Sequence, residues 1–526
     1  MRGRAITGAA GIMITVVTMS GCASGARQAA SSPVNGRPPI AVPAAVTAPQ
    51  TGPVLLAVPA DPTVSFAVVF ATGSQNDPAD KAGLACLTAM LMAEGATEKH
   101  AYNEILQLLF PIAAGYNLRV DKEQITFTGR VHRDNLDLYA SLLLDAVLRP
   151  AFAEADFERI RQRTIDGIEK TLRYSSDEEL GKAALSTAVF AGTAYGHLNQ
   201  GSAASLRSIT LADVRAFYRA NFTRDNVTLG VGGGFTPELV TRVQQALTAL
   251  PAGAPAALAP PRPSLPPGRS VLIVEKPGPA TAISFGFPLP VLRGEREFYA
   301  LWLANSWLGE HRNSSSHLYQ VIREMRGMNY GDYSYLEHFP EAGMRTMPPP
   351  LAPRRAQLFE VWIRPVPNAQ AHFALRAALR ELEALVANGL TEEQLELTRS
   401  FLSKYCLHFA ETTQIRLGYA LDDRFYGIAP EGHLARFRAT IANLTRDEVN
   451  IAIRKYLKPE NLVIAMVTAD GGALVSALAG EAPSPISYAT PKPAEVLAED
   501  KLIEAYPLGI RREAIRIVPV DEMFAK

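Results

Sequence analysis

Val64-Ser-Phe-Ala-Val-Val-Phe70, Gly73-Ser-Gln-Asn-Asp-Pro78 and Gly83-Leu-Ala-Cys-Leu-Thr-Ala-Met90 follow one another near the start of the chain. The first is an apolar run rich in β-branched and aromatic residues, which reads as a strand. The second is a cluster of turn formers, and the third opens a helix. A similar layout returns in the second half. Extended apolar runs stand at 54–58 and 64–70, and again at 271–275 and 282–287. Ala153-Glu-Ala-Asp-Phe-Glu158 begins a helix after the turn near Pro150, and Thr391-Glu-Glu-Gln-Leu-Glu396 begins its counterpart 238 residues later. Each half then closes with a helix and a strand, 210–214 to 226–231 and 445–449 to 461–466. At a single offset of 235, Thr210/Thr445, Asp213/Glu448, Val214/Val449, Arg219/Arg454 and Asn226/Asn461 are identical or conservative pairs. The Thr is an N-cap, and the acidic residue three positions on completes a capping box. One such match arises by chance, whereas several in the same order mark a duplication.

The expectation is an α+β fold made of two tandem α/β domains, residues 53–250 and 269–480, joined by the Pro-rich linker 251–268. An extension, 481–526, begins Pro-rich and ends in Ile515-Arg-Ile-Val-Pro519, a strand expected to dock on the body. A length of 526 residues demands more than one domain, and a 48% hydrophobic content supplies their cores. Lys+Arg and Asp+Glu are 52 each, so net charge points to no nucleic acid and no acidic partner. Gly230-Val-Gly-Gly-Gly-Phe235 has neither P-loop nor dinucleotide-binding spacing and reads as the turn after a strand.

The N-terminus reads as a targeting segment. Arg2 and Arg4 precede a weakly apolar stretch, 6–19, that is too short and too rich in Thr and Gly to span a bilayer. Met19-Ser20-Gly21-Cys22 resembles a bacterial lipobox, which makes 1–21 a lipoprotein signal peptide, Cys22 the acylated mature N-terminus and 22–52 a flexible tether. Ala23, in place of Asp, points to the periplasmic face of the outer membrane. The alternative is a plain secretory signal with an incidental Cys. Cys86 and Cys406 could pair in an exported chain, and the alternative, favoured here, is two buried free thiols.

The duplicated layout, the 73–95 region, Leu148-Arg-Pro-Ala-Phe152 and the segment 318–335 together resemble the insulinase/pitrilysin-like metallopeptidases, the inverzincins. The likeness covers roughly 50–480. It implies a clamshell architecture, of which this chain would form one half. The family's H-x-x-E-H motif places two zinc-binding His and a Glu base on one helix. Laid over it, the His positions are Cys86 and Met90 and the Glu position is Ala89. The third ligand, a Glu on a helix reading roughly Ile-x-Glu-Ile, falls at Gly167 in Ile165-Asp166-Gly167-Ile168, after 76 intervening residues from Met90. A shift of one register would place Asp166 there, yet a single carboxylate cannot replace the three protein ligands of a catalytic zinc.

Single-chain members use an Arg and a Tyr seven residues later, around a Gly, to contact the substrate carbonyl. Arg323-Glu-Met-Arg-Gly327-Met-Asn-Tyr330 has that spacing, with Arg326 the rival for the Arg role. A guanidinium and a phenol can both donate to an oxyanion. None of the nine His residues rebuilds a zinc motif, and His197 in Ala194-Tyr-Gly-His-Leu198 reads as structural. The resemblance is greatest to the non-zinc subunit of the family's heterodimeric bacterial members. It implies a chain that binds no cofactor and is inactive alone, with zinc in a partner subunit and a peptide as substrate. The alternative is a catalytically inert peptide-binding or scaffold protein of the cell envelope. If Cys22 is acylated, Cys22→Ser releases the chain from membranes or stalls its processing; fractionation that does not change shows the anchor assignment to be wrong.

Overall fold

The computed structural model describes residues 52–255, 258–263, 267–340 and 345–526. The signal segment, Cys22 and nearly all of the tether lie outside them. The described residues carry two sheets of the same plan. In the first, β1 (Val54–Ala57), β2 (Thr63–Phe70), β3 (Tyr116–Val120), β4 (Ile125–His132) and β5 (Val227–Gly233) stand in the order β1-β5-β2-β4-β3. In the second, β6 (Ser270–Glu275), β7 (Ala280–Leu289), β8 (Asp332–Tyr335), β9 (Gln357–Pro367) and β10 (Val463–Thr468) repeat that order as β6-β10-β7-β9-β8. One addition, β11 (Ile515–Pro519), pairs in parallel with β6. In each sheet the first and last strands of the repeat are parallel, and the other pairings are antiparallel. Both capping boxes form: Thr210 Oγ1 accepts from the Asp213 N–H at 3.2 Å, and Thr445 Oγ1 from the Glu448 N–H at 3.3 Å.

The near-continuous apolar character of β2 has a structural cause. A strand with one wet face alternates, whereas a strand covered on both faces does not. Val64, Phe66, Val68 and Phe70 point into the core of their own half. Ala67 and Val69 point the other way, onto Leu417 and Leu421 of the Thr413–Phe425 helix, which belongs to the second half. The exchange is reciprocal. The Asp177–Val189 helix of the first half lays Leu180, Ala184 and Leu185 on Leu272, Val274, Ala465 and Val467 of the second sheet. Each half therefore supplies a helix that covers the other's sheet.

This exchange corrects the reading of the glycine run. Gly230 to Gly233 belong to β5 itself rather than to the turn after it. A Cβ on Gly230 would stand 2.9 Å from Leu421 Cδ1, and one on Gly232 would stand 3.1 Å from Thr413 Cγ2. The glycines let the exchanged helix lie close against the strand.

Charge pairs close the seam between the halves. Arg354 donates from Nε to Asp121 Oδ1 at 3.0 Å, with both side chains buried, and Arg355 Nε reaches Glu123 Oε2 at 2.6 Å. Tyr195 donates to the same Glu123 carboxylate. The C-terminus returns to the first half, where the Ala203 N–H donates to the Phe524 carbonyl at 3.1 Å and Arg173 Nε to that of Met523 at 2.8 Å.

Because Leu417 is buried at the exchange, Leu417→Ala is expected to lower stability by roughly 2–5 kcal/mol. The exposed Leu397→Ala should stay within about 0.5 kcal/mol of the parent. Urea denaturation of the two variants side by side is the check.

Candidate functional site

The helix that carries the degenerate motif, Leu84–Glu94, starts at Gly83, whose φ of 95° is left-handed. Asp77 accepts from the Gly83 and Ala85 N–H groups at 2.7 Å each, which caps the helix through its side chain. The helix is apolar nearly all round, as a helix enclosed by its own domain must be. Cys86 and Ala89 are buried and Met90 is half-buried. Cys86 Sγ lies 3.8 Å from Met90 Sδ, and the Thr164 hydroxyl, from the Glu154–Asp166 helix, meets that Sδ at 3.7 Å. Gly167 opens a π-helical stretch, Gly167–Leu172, on the same long helix. The structure thus brings Cys86, Met90 and Gly167 to the wall of one cavity of about 1190 Å³ between the halves, with Tyr335, His338 and Arg354 opposite.

The donor set there does not suit zinc. Burial, with Asp77 and Glu94 nearby, pushes the Cys86 thiol up to about 12, so it stays protonated, and zinc binds the thiolate. A thioether, a methyl group and a glycine complete the four positions. Asp166, the alternative third ligand, spends its carboxylate on Gln162 and Lys170. Among the described residues no group of three His, Cys, Asp or Glu side chains stands close enough to hold a metal. Cys86 and Cys406 are both free and buried. The His197 ring nitrogen Nδ1 lies 2.8 Å from the Leu198 carbonyl, and its own carbonyl accepts from Lys122 at 2.5 Å.

Groups that the motif search did not single out crowd the seam beside the cavity. Burial disfavours the Asp121 carboxylate, but the Arg354 guanidinium overrides it and holds the group well below the usual range. Burial and the same guanidinium lower Lys122 to about 7 and His338 to about 3. At neutral pH His338 is therefore uncharged. No motif or spacing in the sequence points to this cluster, because Asp121 and Arg354 stand 233 residues apart and only folding brings them together.

Arg323 and Tyr330 lie elsewhere, and neither lines the cavity. A second π-helical stretch, Tyr319–Glu324, carries Arg323 in its last turn. Single-turn π segments recur at functional sites. The guanidinium lies over the Tyr319 ring, 4.7 Å from its centroid, donates to the Tyr319 hydroxyl and pairs with Glu324 at 2.6 Å. Gly327, at φ 67°, turns the chain towards β8, and Tyr330 just before that strand is 77% exposed. Arg323 keeps a third of its side chain exposed, whereas the Arg326 side chain is fully buried. Of the two arginines, Arg323 alone is accessible to a substrate. The structure holds it on Tyr319 and Glu324 rather than on Tyr330.

A family model described as insulinase (peptidase family M16) matches residues 54–197, and one described as the peptidase M16 inactive domain matches 208–402. The chain belongs to the insulinase family. Among its family relatives are an uncharacterised zinc protease of Mycobacterium tuberculosis, 25% identical over 66% of this chain and 75% of that protein, and one of Bacillus subtilis, 23% identical over 54% and 68%. Two solved structures share the insulinase-family fold. A peptidase M16 inactive domain from Pseudomonas fluorescens superposes with a TM-score of 0.70 at 21% identity, over 80% of this chain and 98% of that one. A protease from Helicobacter pylori gives a TM-score of 0.66 at 17% identity, over 79% and 96%.

With this donor set, the purified chain is expected to carry no stoichiometric zinc by elemental analysis. His, Glu and His restored at Cys86, Ala89 and Met90 should not give tight binding, because Gly167 still leaves the third ligand missing. One tightly bound zinc per parent chain would overturn this reading of the helix.

Proposed function

We propose that this chain is the non-zinc subunit of a two-chain insulinase-family peptidase of the cell envelope, anchored through Cys22. The observation that carries the reading is a contrast. The three ligand positions are filled by Cys86, Met90 and Gly167 and the base position by Ala89, while Arg323 and Tyr330 keep their spacing, their intervening Gly327 and their exposure outside the chain's own cavity. Donors placed there can serve a site assembled with a second chain. A zinc ion bound by that partner would supply the activated water and polarise the scissile carbonyl.

This chain's part is donation. The stacking of the Arg323 guanidinium on Tyr319 limits the rotamers it must give up when it meets an oxyanion. The Tyr330 hydroxyl adds a neutral donor. Both would act where negative charge develops on the substrate carbonyl oxygen, and so in the transition state more than in substrate binding. The substrate is a peptide in extended form laid along a sheet edge.

The test is hydrolysis of an unfolded peptide by this chain mixed with a zinc-bearing insulinase-family chain. Neither chain alone should cleave it. Arg323→Ala and Tyr330→Phe should fold and associate as the parent does, while kcat falls on the order of 100-fold for loss of one donor. Wild-type rates for both variants in an active pair would remove the donor role and leave an inert scaffold in its place.

A further inference from the structure

The segment that carries Arg323 and Tyr330 is tied to its own half at Val321, Ile322 and Met328, which enter the core, and at Asn329, which donates to Asp332 Oδ1 at 2.8 Å and to the Arg364 carbonyl at 3.0 Å. Arg323 and Tyr330 themselves stay outside that packing. A π turn ends at Glu324, Gly327 sits in the left-handed region with open space where a Cβ would be, and Tyr330 is mostly in solvent. A linkage of this kind between a helix end and an edge strand keeps local freedom between its packed points. A further hold comes from residues 488–500, beyond both regions that match the insulinase-family models.

Arg326, one turn past Arg323, reaches into this extension. Its Nε donates to Asp500 Oδ1 and its Nη2 to Glu499 Oε2, at 2.8 Å each, while Nη1 returns to the Val321 carbonyl at 2.8 Å. Asp500 is steadied in turn by the Tyr488 hydroxyl at 2.8 Å, and Glu499 by Arg380 at 2.9 Å. On the other side, Lys492 Nζ donates to the Met325 carbonyl at 2.7 Å. Both acids ride on the Ala494–Glu504 helix, which buries Val496, Asp500 and Ile503. A buried guanidinium gripped by two carboxylates fixes direction as well as distance, because its planar fork accepts partners only along set lines.

We infer that the C-terminal extension is a clamp that positions the Arg323–Tyr330 segment, with Arg326, Asp500 and Lys492 as positioning residues. The inference rests on the donor role proposed for Arg323 and Tyr330. Oxyanion donors act only when held within about 0.5 Å of their working place, and the clamp adds to that constraint at Met325 and Arg326, between the two donors. None of the three positioning residues is assigned contact with substrate.

Two readouts on the full chain test it. The first is amide hydrogen exchange over 319–330 in Arg326→Met, Asp500→Asn and the surface variant Lys492→Ala, which tests the clamp even if a buried-charge variant fails to fold. Exchange there should quicken about tenfold or more while 54–233 keeps its parent rates. The second is peptide hydrolysis with the zinc-bearing partner chain. kcat should fall about tenfold with KM within about twofold, since loss of aim weakens the transition state rather than binding. Arg326→Lys, which keeps a cation between Asp500 and Glu499, should recover part of kcat.

Unchanged exchange over 319–330 overturns the clamp, and so does faster exchange with kcat intact. Those results would leave the donor reading standing. Wild-type rates in Arg323→Ala, or no hydrolysis by the mixed pair, would remove the donor role and this inference together.

Discussion

The exchange of helices between the two halves is the constraint on which the rest of this structure depends. A sheet whose strands read Val-Ser-Phe-Ala-Val-Val-Phe cannot leave either face in water. The helices packed in its own domain cover one face, and the other must be covered from outside. The Thr413–Phe425 helix does so for the first sheet and the Asp177–Val189 helix for the second. Neither half is complete without the other. The charge pairs Asp121–Arg354 and Glu123–Arg355 then close the seam that the exchange brings together. A buried ion pair adds little net stability, but it penalises any arrangement that separates its partners. Here it fixes how the halves meet, and so fixes the cavity between them.

Two stretches, the motif helix and the Arg323–Tyr330 segment, are set by this frame in different ways. The degenerate motif lies on a helix that packs Ala89 into the core and turns Cys86 and Met90 to the cavity wall. The Arg323–Tyr330 segment lies at the edge of the second sheet, away from the cavity, and is secured by an extension that adds β11 to the same sheet. The extension therefore does two things with one stretch of chain. It covers the edge of β6, which would otherwise be an unpaired row of donors and acceptors, and it reaches Arg326.

Much of this was legible in the sequence, for a physical reason. Duplication leaves the same hydrophobic periods and the same capping boxes at a fixed offset, so Thr210/Thr445 and Asn226/Asn461 pointed to the repeated plan. The glycines at 230–233 look like a turn in sequence because local chemistry cannot distinguish a turn from a strand kept bare for a close neighbour. That neighbour, Leu421, is nearly 200 residues away in sequence. The same limit hid the Asp121–Arg354 pair and the Arg326–Asp500 contact. It also left Arg323 and Arg326 as rivals, since spacing alone does not say which of two arginines on a short helix is buried.

The contrast between the two sets of residues has an energetic logic. At Cys86 and Ala89, which are buried, an imidazole and a carboxylate held without a metal would be costly, because the apolar helix 84–94 offers them few partners. Cys86, Ala89, Met90 and Gly167 are what such a helix pair accepts once no metal is held. Nothing of the kind applies to Arg323 and Tyr330. Tyr330 buries little, and an exposed pair such as Arg323–Glu324 contributes at most about 1 kcal/mol. Packing alone would accept many other residues at either position. Folding thus explains the residues at the metal positions and leaves Arg323 and Tyr330 unexplained, and residues that a fold does not need are where a binding or catalytic role is to be sought.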